Sequence, residues 1–287
     1  MKAQSDCFAC LKRQVCAHPV AIEEYQSFLQ SIPKDQNGAS IALSPPQIAI
    51  GLYEKIARDL GVSDPFAHIK AQSIQKASQI LQMLDLEVLS LEEALRLSAL
   101  GNVIDYGSAS QFCIQDFDFM QELSRMDFAC FDFDRFQDAL EGARSLVMLG
   151  DNAGENLFDE VLLRVLSRQY PNLELFYFVR GKPIINDITL LDLQRFEECR
   201  GIFEVAQVVD SGVKSPGFVY GDASTEAQQI FSRSDLVLSK GMGNFECLDE
   251  RKDSRIFYLL KIKCQVVADR LGFALGKMVF RQNHFVL

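Results

Sequence analysis

The sequence predicts an α/β protein: a largely parallel sheet flanked by helices, preceded by an all-helical N-terminal subdomain. Two observations carry this. From residue 144 onward, short apolar runs alternate with amphipathic stretches, the pattern of strand–helix–strand units. Before residue 144 the apolar spacing is helical throughout, with no convincing strand. The predicted division is 1–143 for the helical subdomain and 144–287 for an α/β domain.

In the first half, "HPVAIEEYQSFLQSI" has helical apolar spacing. "SPPQIAIGLYEKIARDLG" opens on Ser44 and two prolines, an N-cap and first turn, and stops at Gly61. "AHIKAQSIQKASQILQML" and "SLEEALRLSALGNVIDYG" continue the pattern. In the latter, Ser90 and Glu93 have the spacing of a capping box. The Phe- and Asp-rich segment "FCIQDFDFMQELSRMDFACFDFDRFQDAL" reads as core phenylalanines with solvated aspartates. In the second half, strands are expected near 145–149, 173–179, 205–209, 235–239 and 256–260, with a further one at 277–281. Helices are expected over 154–168, 188–200 and 222–232.

Composition narrows the function. Of the 287 residues 48% are hydrophobic, enough for a substantial core. A net charge of −10 argues against a general nucleic-acid binder, which needs a basic surface. No run approaches the roughly 18 to 20 apolar residues of a membrane helix, and "MKAQSDCFACLKRQVCAHP" lacks the apolar core of a secretory signal. The expectation is a cytoplasmic protein with reduced thiols.

In a parallel sheet, ligands bind outside the carboxyl ends of the strands. The residues placed there are Asp151 and Asn152 after the first expected strand, Arg180, Lys182, Asn186 and Asp187 after the second, Asp210, Ser211 and Gly212 after the third, and Lys240, Gly241, Gly243, Asn244 and Glu246 after the fourth. Asp and Asn oxygens suit hard cations, and Lys240 with glycine-rich backbone suits phosphate. Each residue also has a plainer reading. Asp151 or Asn152, and likewise Asn186-Asp187, would serve as helix caps. Lys240 would be a solvated charge, and the glycines turn formers. Convergence on one end of one sheet favours a metal-and-anion site. Three histidines, His18, His68 and His284, are too few and scattered for a histidine-built zinc site. The dinucleotide fingerprint and the Walker phosphate loop are both absent.

The motifs "GDNAGE", "VRGKPIINDIT" and "SKGMGNFE", with "ALGNVIDYG", "CFACLKRQ" and the closing "KCQVVADRLGFALGKMVF", resemble the metal-dependent damage-control phosphatases, a former domain-of-unknown-function family with an ARMT-like label. The stand-alone prokaryotic branch is the nearest match. The resemblance implies a Rossmann-like core beside the helical subdomain. It implies one divalent ion (Mg²⁺, Mn²⁺, Co²⁺ or Ni²⁺) held by Asp151, Asn152 and Asp187. Lys240 and Asn244 would contact a substrate phosphate, and Asn102 and Asp105 would lie near the pocket. Ser211, Gly212 and Arg180 are further candidates for substrate contact. The implied reaction is hydrolysis of a small phosphorylated metabolite, a sugar phosphate or damaged cofactor intermediate, by metal-activated water, with Asp151, Asp187 and Lys240 as the catalytic set. A covalent aspartyl-phosphate route is the chemical alternative. Two other classes remain open: a methyltransferase, following an old label of the family, and a metal- or nucleotide-binding sensor.

Cys7-x-x-Cys10 admits a redox or zinc reading, with Cys16 and His18 nearby. No strand precedes it, so the favoured reading is a pair one turn apart on the core side of the first helix.

Overall fold

A computed structural model describes residues 1–16, 22–86, 88–101 and 126–283. The N-terminal helices are α1 (Ser5–Cys16), α2 (Ile22–Ser31), α3 (Pro45–Leu60), α4 (Ala67–Leu81) and α5 (Leu91–Gly101). There follow β1 (Phe128–Phe131), α6 (Phe133–Gly142), β2 (Ser145–Leu149), α7 (Glu155–Gln169), β3 (Glu174–Val179), α8 (Leu190–Arg195), α9 (Ile202–Val205) and β4 (Gln207–Asp210). The chain continues through α10 (Thr225–Arg233), β5 (Leu236–Lys240), α11 (Gly241–Leu248), β6 (Ile256–Lys261), α12 (Gln265–Leu271) and β7 (Met278–Gln282). No helix among the described residues is long and apolar enough to cross a membrane.

The strands form one sheet in the order β1-β7-β6-β5-β2-β3-β4. From β6 to β4 all neighbours are parallel. β7 is antiparallel to β6, and β1, at the edge, is parallel to β7, so these two strands run against the other five. The chain leaves β2 toward β3 on one side and later returns to place β5 on the other. The crevice at the carboxyl ends of β2 and β5 is therefore the switch point of the sheet.

Both faces of the sheet are covered, which is why its strands read as continuous apolar runs. On one face Leu146, Met148, Tyr177, Leu238 and Phe257 pack with apolar residues of α4, α5, α6 and α7. On the other, Val147, Leu149, Phe178, Val237 and Tyr258 pack with α10, α11 and α12. A third cluster joins α1, α2 and α3, and Ile184 from the loop after β3 enters it.

Both sequence-read caps form. Ser44 accepts from the Gln47 amide, whose side chain returns to Ser44, and Gly61 closes α3 in the left-handed region at φ 65°. The Ser90 amide donates to Glu93 at 2.8 Å, and the Glu93 amide to Ser90 Oγ at 3.2 Å.

Two expectations are corrected. A strand does precede residue 144: β1 lies inside the segment read as helical. It has four half-buried residues with no clean alternation. Its identity is set by a partner distant in sequence, in the register Phe128↔Met278 and Phe131↔Phe280. The helix expected over 188–200 is broken. α8 ends at Arg195, Phe196 turns to φ −95° and ψ 125°, and a single 3₁₀ turn follows.

Candidate functional site

Strand β2 stops at Gly150, whose amide bonds the Phe178 carbonyl across to β3 at 3.0 Å. The chain beyond it does not go straight into α7. It pairs with the loop after β3 in a short antiparallel ladder. Ile188 N donates to Asp151 O at 2.9 Å, Ala153 N donates to Asn186 O at 2.8 Å, and Asn152 faces Asp187 as a bridge pair. Residues directly opposed in an antiparallel pair present side chains on one face. The ladder thus brings Asp187 opposite Asn152 and beside its chain neighbour Asp151, although Asp187 is distant in sequence.

The plainer readings of these residues do not describe the structure. α7 is preceded by Gly154, and no side chain caps it. The helix after "NDIT" is capped by Thr189, through a capping box with Asp192. Neither helix is capped by the side chain of Asp151, Asn152 or Asp187. Lys240 is not a solvated charge, since it is fully buried.

Arg180 links the two carboxylates. Its Nε donates to Asp187 Oδ2 at 2.7 Å, and its Nη2 lies 3.8 Å from Asp151 Oδ1. That Nη2 is buried without a hydrogen-bond partner among the described residues. Asn152 Nδ2 donates to Glu155 Oε1 at 2.7 Å and to Asp151 Oδ2 at 3.2 Å, which leaves its Oδ1 as the atom suited to a cation. Burial, then repulsion from Asp187, holds the Asp151 carboxyl up to about 6. Burial, then repulsion from Asp151, raises Glu155 to about 7. Asp187 is also raised by burial, against the pull of Arg180.

Lys240, at the end of β5, reaches across to α5 and α7. Its ammonium donates to Ser98 O at 3.1 Å, to Ser98 Oγ at 2.7 Å and to the Asp159 carboxylate. Asp159 also accepts from Ser98 Oγ at 2.6 Å and from Tyr177 at 3.0 Å. All four residues are fully buried. Three donors on Lys240 meet three acceptors, so in this structure the ammonium is committed inside the protein.

The segment after Lys240 is the start of α11. Gly241 has φ 76°, and a Cβ built there would fall 1.9 Å from Asp151 Oδ2. Only glycine allows this backbone to lie against the carboxylate. Asn244 stabilises the same turn. Its Nδ2 donates to Lys240 O at 2.7 Å and Gly150 O at 3.2 Å, and its Oδ1 accepts from Phe218 N at 2.7 Å. Ser211 is buried, with its hydroxyl on Val179 O at 2.6 Å. Gly212, at φ 74°, packs against Gly181, where a Cβ would lie 2.6 Å from the Gly212 Cα. Ser211 and Gly212 therefore brace the turn that carries Arg180.

Asn102 and Asp105 lie outside the described residues, as does His18. Cys7 is buried in the helical cluster, as the core reading of the first helix expects, while Cys10 is half-buried and receives a long contact from Gln14 Nε2 at 3.7 Å.

The sequence reading missed Glu155, Asp159, Ser98 and Tyr177. One signal was available. Glu155 and Asp159 stand four apart on the face of α7 that is otherwise apolar, and acids there must be partnered.

The fold and this cluster define an α/β protein with an oxygen-rich, acidic site at the switch point of its sheet. The family model described as the damage-control phosphatase ARMT1-like domain matches residues 3–279, and the chain belongs to that family. With the family goes phosphatase activity. A damage-control phosphatase of Pyrococcus horikoshii is 30% identical, with 100% of both chains covered. One of Archaeoglobus fulgidus is 30% identical over 81% of this chain and 80% of its own. The crystal structure of a DUF89 family protein from Pyrococcus horikoshii superposes with a TM-score of 0.87 at 29% identity, covering 99% of this chain and 100% of that one.

Proposed function

We propose that this protein is a divalent-metal-dependent phosphatase that hydrolyses a small phosphorylated metabolite, a sugar phosphate or damaged cofactor intermediate. The observation that carries the reading is the ladder that sets Asp151, Asn152 and Asp187 side by side at the switch point. Among the described residues no three of His, Cys, Asp and Glu gather as a metal site, so a cation would rest on two carboxylates and an amide. The donors fit such an ion. They are hard oxygens, and burial raises both carboxyls, Asp151 further through repulsion from Asp187. A bound Mg²⁺, Mn²⁺, Co²⁺ or Ni²⁺ would polarise a phosphoryl oxygen and acidify water.

The residues of the chain supply the rest. Arg180 sets the two carboxylates in register and turns its Nη2 to the same place, available to a phosphoryl oxygen. Glu155, raised to about 7, is suited to accept a proton from the attacking water near neutral pH. The water oxygen bonds to phosphorus, the ester P–O bond breaks, and the leaving alcohol oxygen takes up the proton that Glu155 accepted from the water. Lys240 brings charge toward the phosphoryl group by exchanging a Ser98 bond for a phosphate oxygen. Asn244, Ser211 and Gly212 act as positioning residues through the backbone they hold.

The test is phosphate release from a panel of phosphorylated metabolites and an aryl phosphate, with EDTA or each of the four ions, beside Asp151→Ala. We expect metal-dependent release that falls at least about hundredfold in the variant. Release in EDTA, or an active Asp151→Ala, would overturn the reading. A phospho-aspartate trapped by rapid quench would replace direct water attack with the covalent route.

A further inference from the structure

We propose that Ile185 is a positioning residue: seated on the helical cluster, it holds the turn that presents Asp187 to the cation in a backbone conformation that isoleucine by itself disfavours. This rests on the metal part of the reading above.

The turn spans residues 184–187, and the Asp187 amide donates to Ile184 O across it at 3.1 Å. Ile185, its first central residue, has φ 45°. Among the described residues it is the one non-glycine with positive φ, so Asn186 beside it keeps the ordinary sign. A hydrogen-bonded turn whose single positive φ falls at the first central position ordinarily takes glycine there. A β-branched residue is among the least suited, because its Cβ crowds the neighbouring carbonyl oxygen. Such a conformation persists only where the surroundings fix it, and it concentrates at ligand sites.

Two sets of contacts fix this turn. On one side, Ile184 is buried in the cluster of α1, α2 and α3, and Ile185 packs half-buried on the same cluster. On the other, Asn186 O accepts from Ala153 N at 2.8 Å, and Ile188 N donates to Asp151 O at 2.9 Å. Asp187 lies between them, with its carboxylate on Arg180 Nε at 2.7 Å. A glycine would meet the demand of the backbone but would have no side chain to grip the helices. Isoleucine gives up backbone ease for that grip. The turn cannot relax without drawing the side chain off the cluster, so Asp187 is kept opposite Asn152. An isoleucine that only filled the core would set stability and leave metal affinity alone.

The experiment compares Ile185→Gly, Ile185→Ala and Ile185→Val with Leu29→Ala, a residue buried in the same cluster on α2. Mn²⁺ is titrated calorimetrically into each, and melting is followed in EDTA. We expect Ile185→Gly and Ile185→Ala each to lower Mn²⁺ affinity about tenfold, as loss of a support behind a ligand does. Ile185→Ala should melt below Ile185→Gly, the reverse of the usual order, because alanine loses the grip and keeps the disfavoured φ. Ile185→Val should keep the affinity of wild type. Leu29→Ala should melt lower with Mn²⁺ affinity unchanged. Unaltered affinity in the glycine and alanine variants, an alanine variant that melts at or above the glycine one, or an equal loss of affinity in Leu29→Ala would each overturn the proposal. If wild type takes up no Mn²⁺, the metal reading has failed, and amide exchange in Ile185→Gly judges the turn by itself. Faster exchange at Ala153 and Ile188 would then uphold the positioning role, and exchange equal to wild type would refute it.

Discussion

Lys240 sits wholly enclosed with Asp159 as its counter-ion, and Tyr177 and Ser98 complete the acceptor's shell. Removing one member of a buried ion pair strands the other in a low-dielectric interior, at about 3–5 kcal/mol. Asp159→Leu and Lys240→Met should each destabilise by about that amount in urea unfolding. The double variant should lose less than either single change, because no charge is left unpaired. The carboxyls of Asp151 and Glu155 respond to pH in the opposite sense from ordinary paired acids. Their folded values, about 6 and about 7, lie above unfolded values near 4. Their contribution to stability is full below about pH 4 and is lost as pH rises through the folded values. The melting temperature of EDTA-treated protein should therefore fall between about pH 4 and pH 7. A divalent ion should restore it at the upper end. A flat profile in EDTA would contradict the charge crowding described.

At the scale of elements, the site is made where three pieces of chain meet: the turn after β2, the loop after β3 and the start of α11. The close approach of Gly241 to Asp151 makes that meeting intolerant of a side chain. Gly241→Ala adds a Cβ at φ 76°, and the carboxylate must move. Calorimetric metal titration should show affinity lowered about hundredfold, against a stability loss of only about 1–2 kcal/mol for the strained backbone. Much of this was legible beforehand. The runs of β2, β3, β5 and β6 were clear because strands buried on both faces are continuously apolar. "GDNAGE" and "VRGKPIINDIT" were legible as places where polar residues end such runs. The start of α11 was not, since "GMGNFE" has two glycines and no apolar period, and the helix is stabilised by Asn244 and by packing on β5 and β6. Nor was β1, whose four residues become a strand only beside β7.

Across the whole molecule, the N-terminal helices are not an appendage. α4 and α5 share the core of one sheet face, Ser98 on α5 holds Lys240, and α1–α3 receive Ile184 from the loop that ends in Asp187. Lys70 on α4, fully buried, pairs with Asp192 at 2.9 Å and Asp64 at 3.0 Å, tying the same layer to the cap of α8. Ile184→Ala should cost about 2–4 kcal/mol. It should also raise amide exchange in α1–α3 and weaken metal binding together, because one loop serves both. Faster exchange with unaltered metal affinity would show that the helices and the site are independent.

Local pattern settled what depends on neighbours in sequence. This covers the apolar runs of β2, β3, β5 and β6, the spacing of the N-terminal helices, the Ser44 and Ser90 caps, and the supply of carboxylates, amides and a lysine at strand ends. Tertiary structure alone decided which of these meet. The ladder that joins Asn152 to Asp187, the reach of Arg180 across two carboxylates, and the burial of Lys240 against a serine 142 residues away are contacts between distant segments. Such contacts are fixed by the order of strands and the packing of layers. Sequence periodicity records which face of an element is buried, and only the folded chain sets what lies opposite that face.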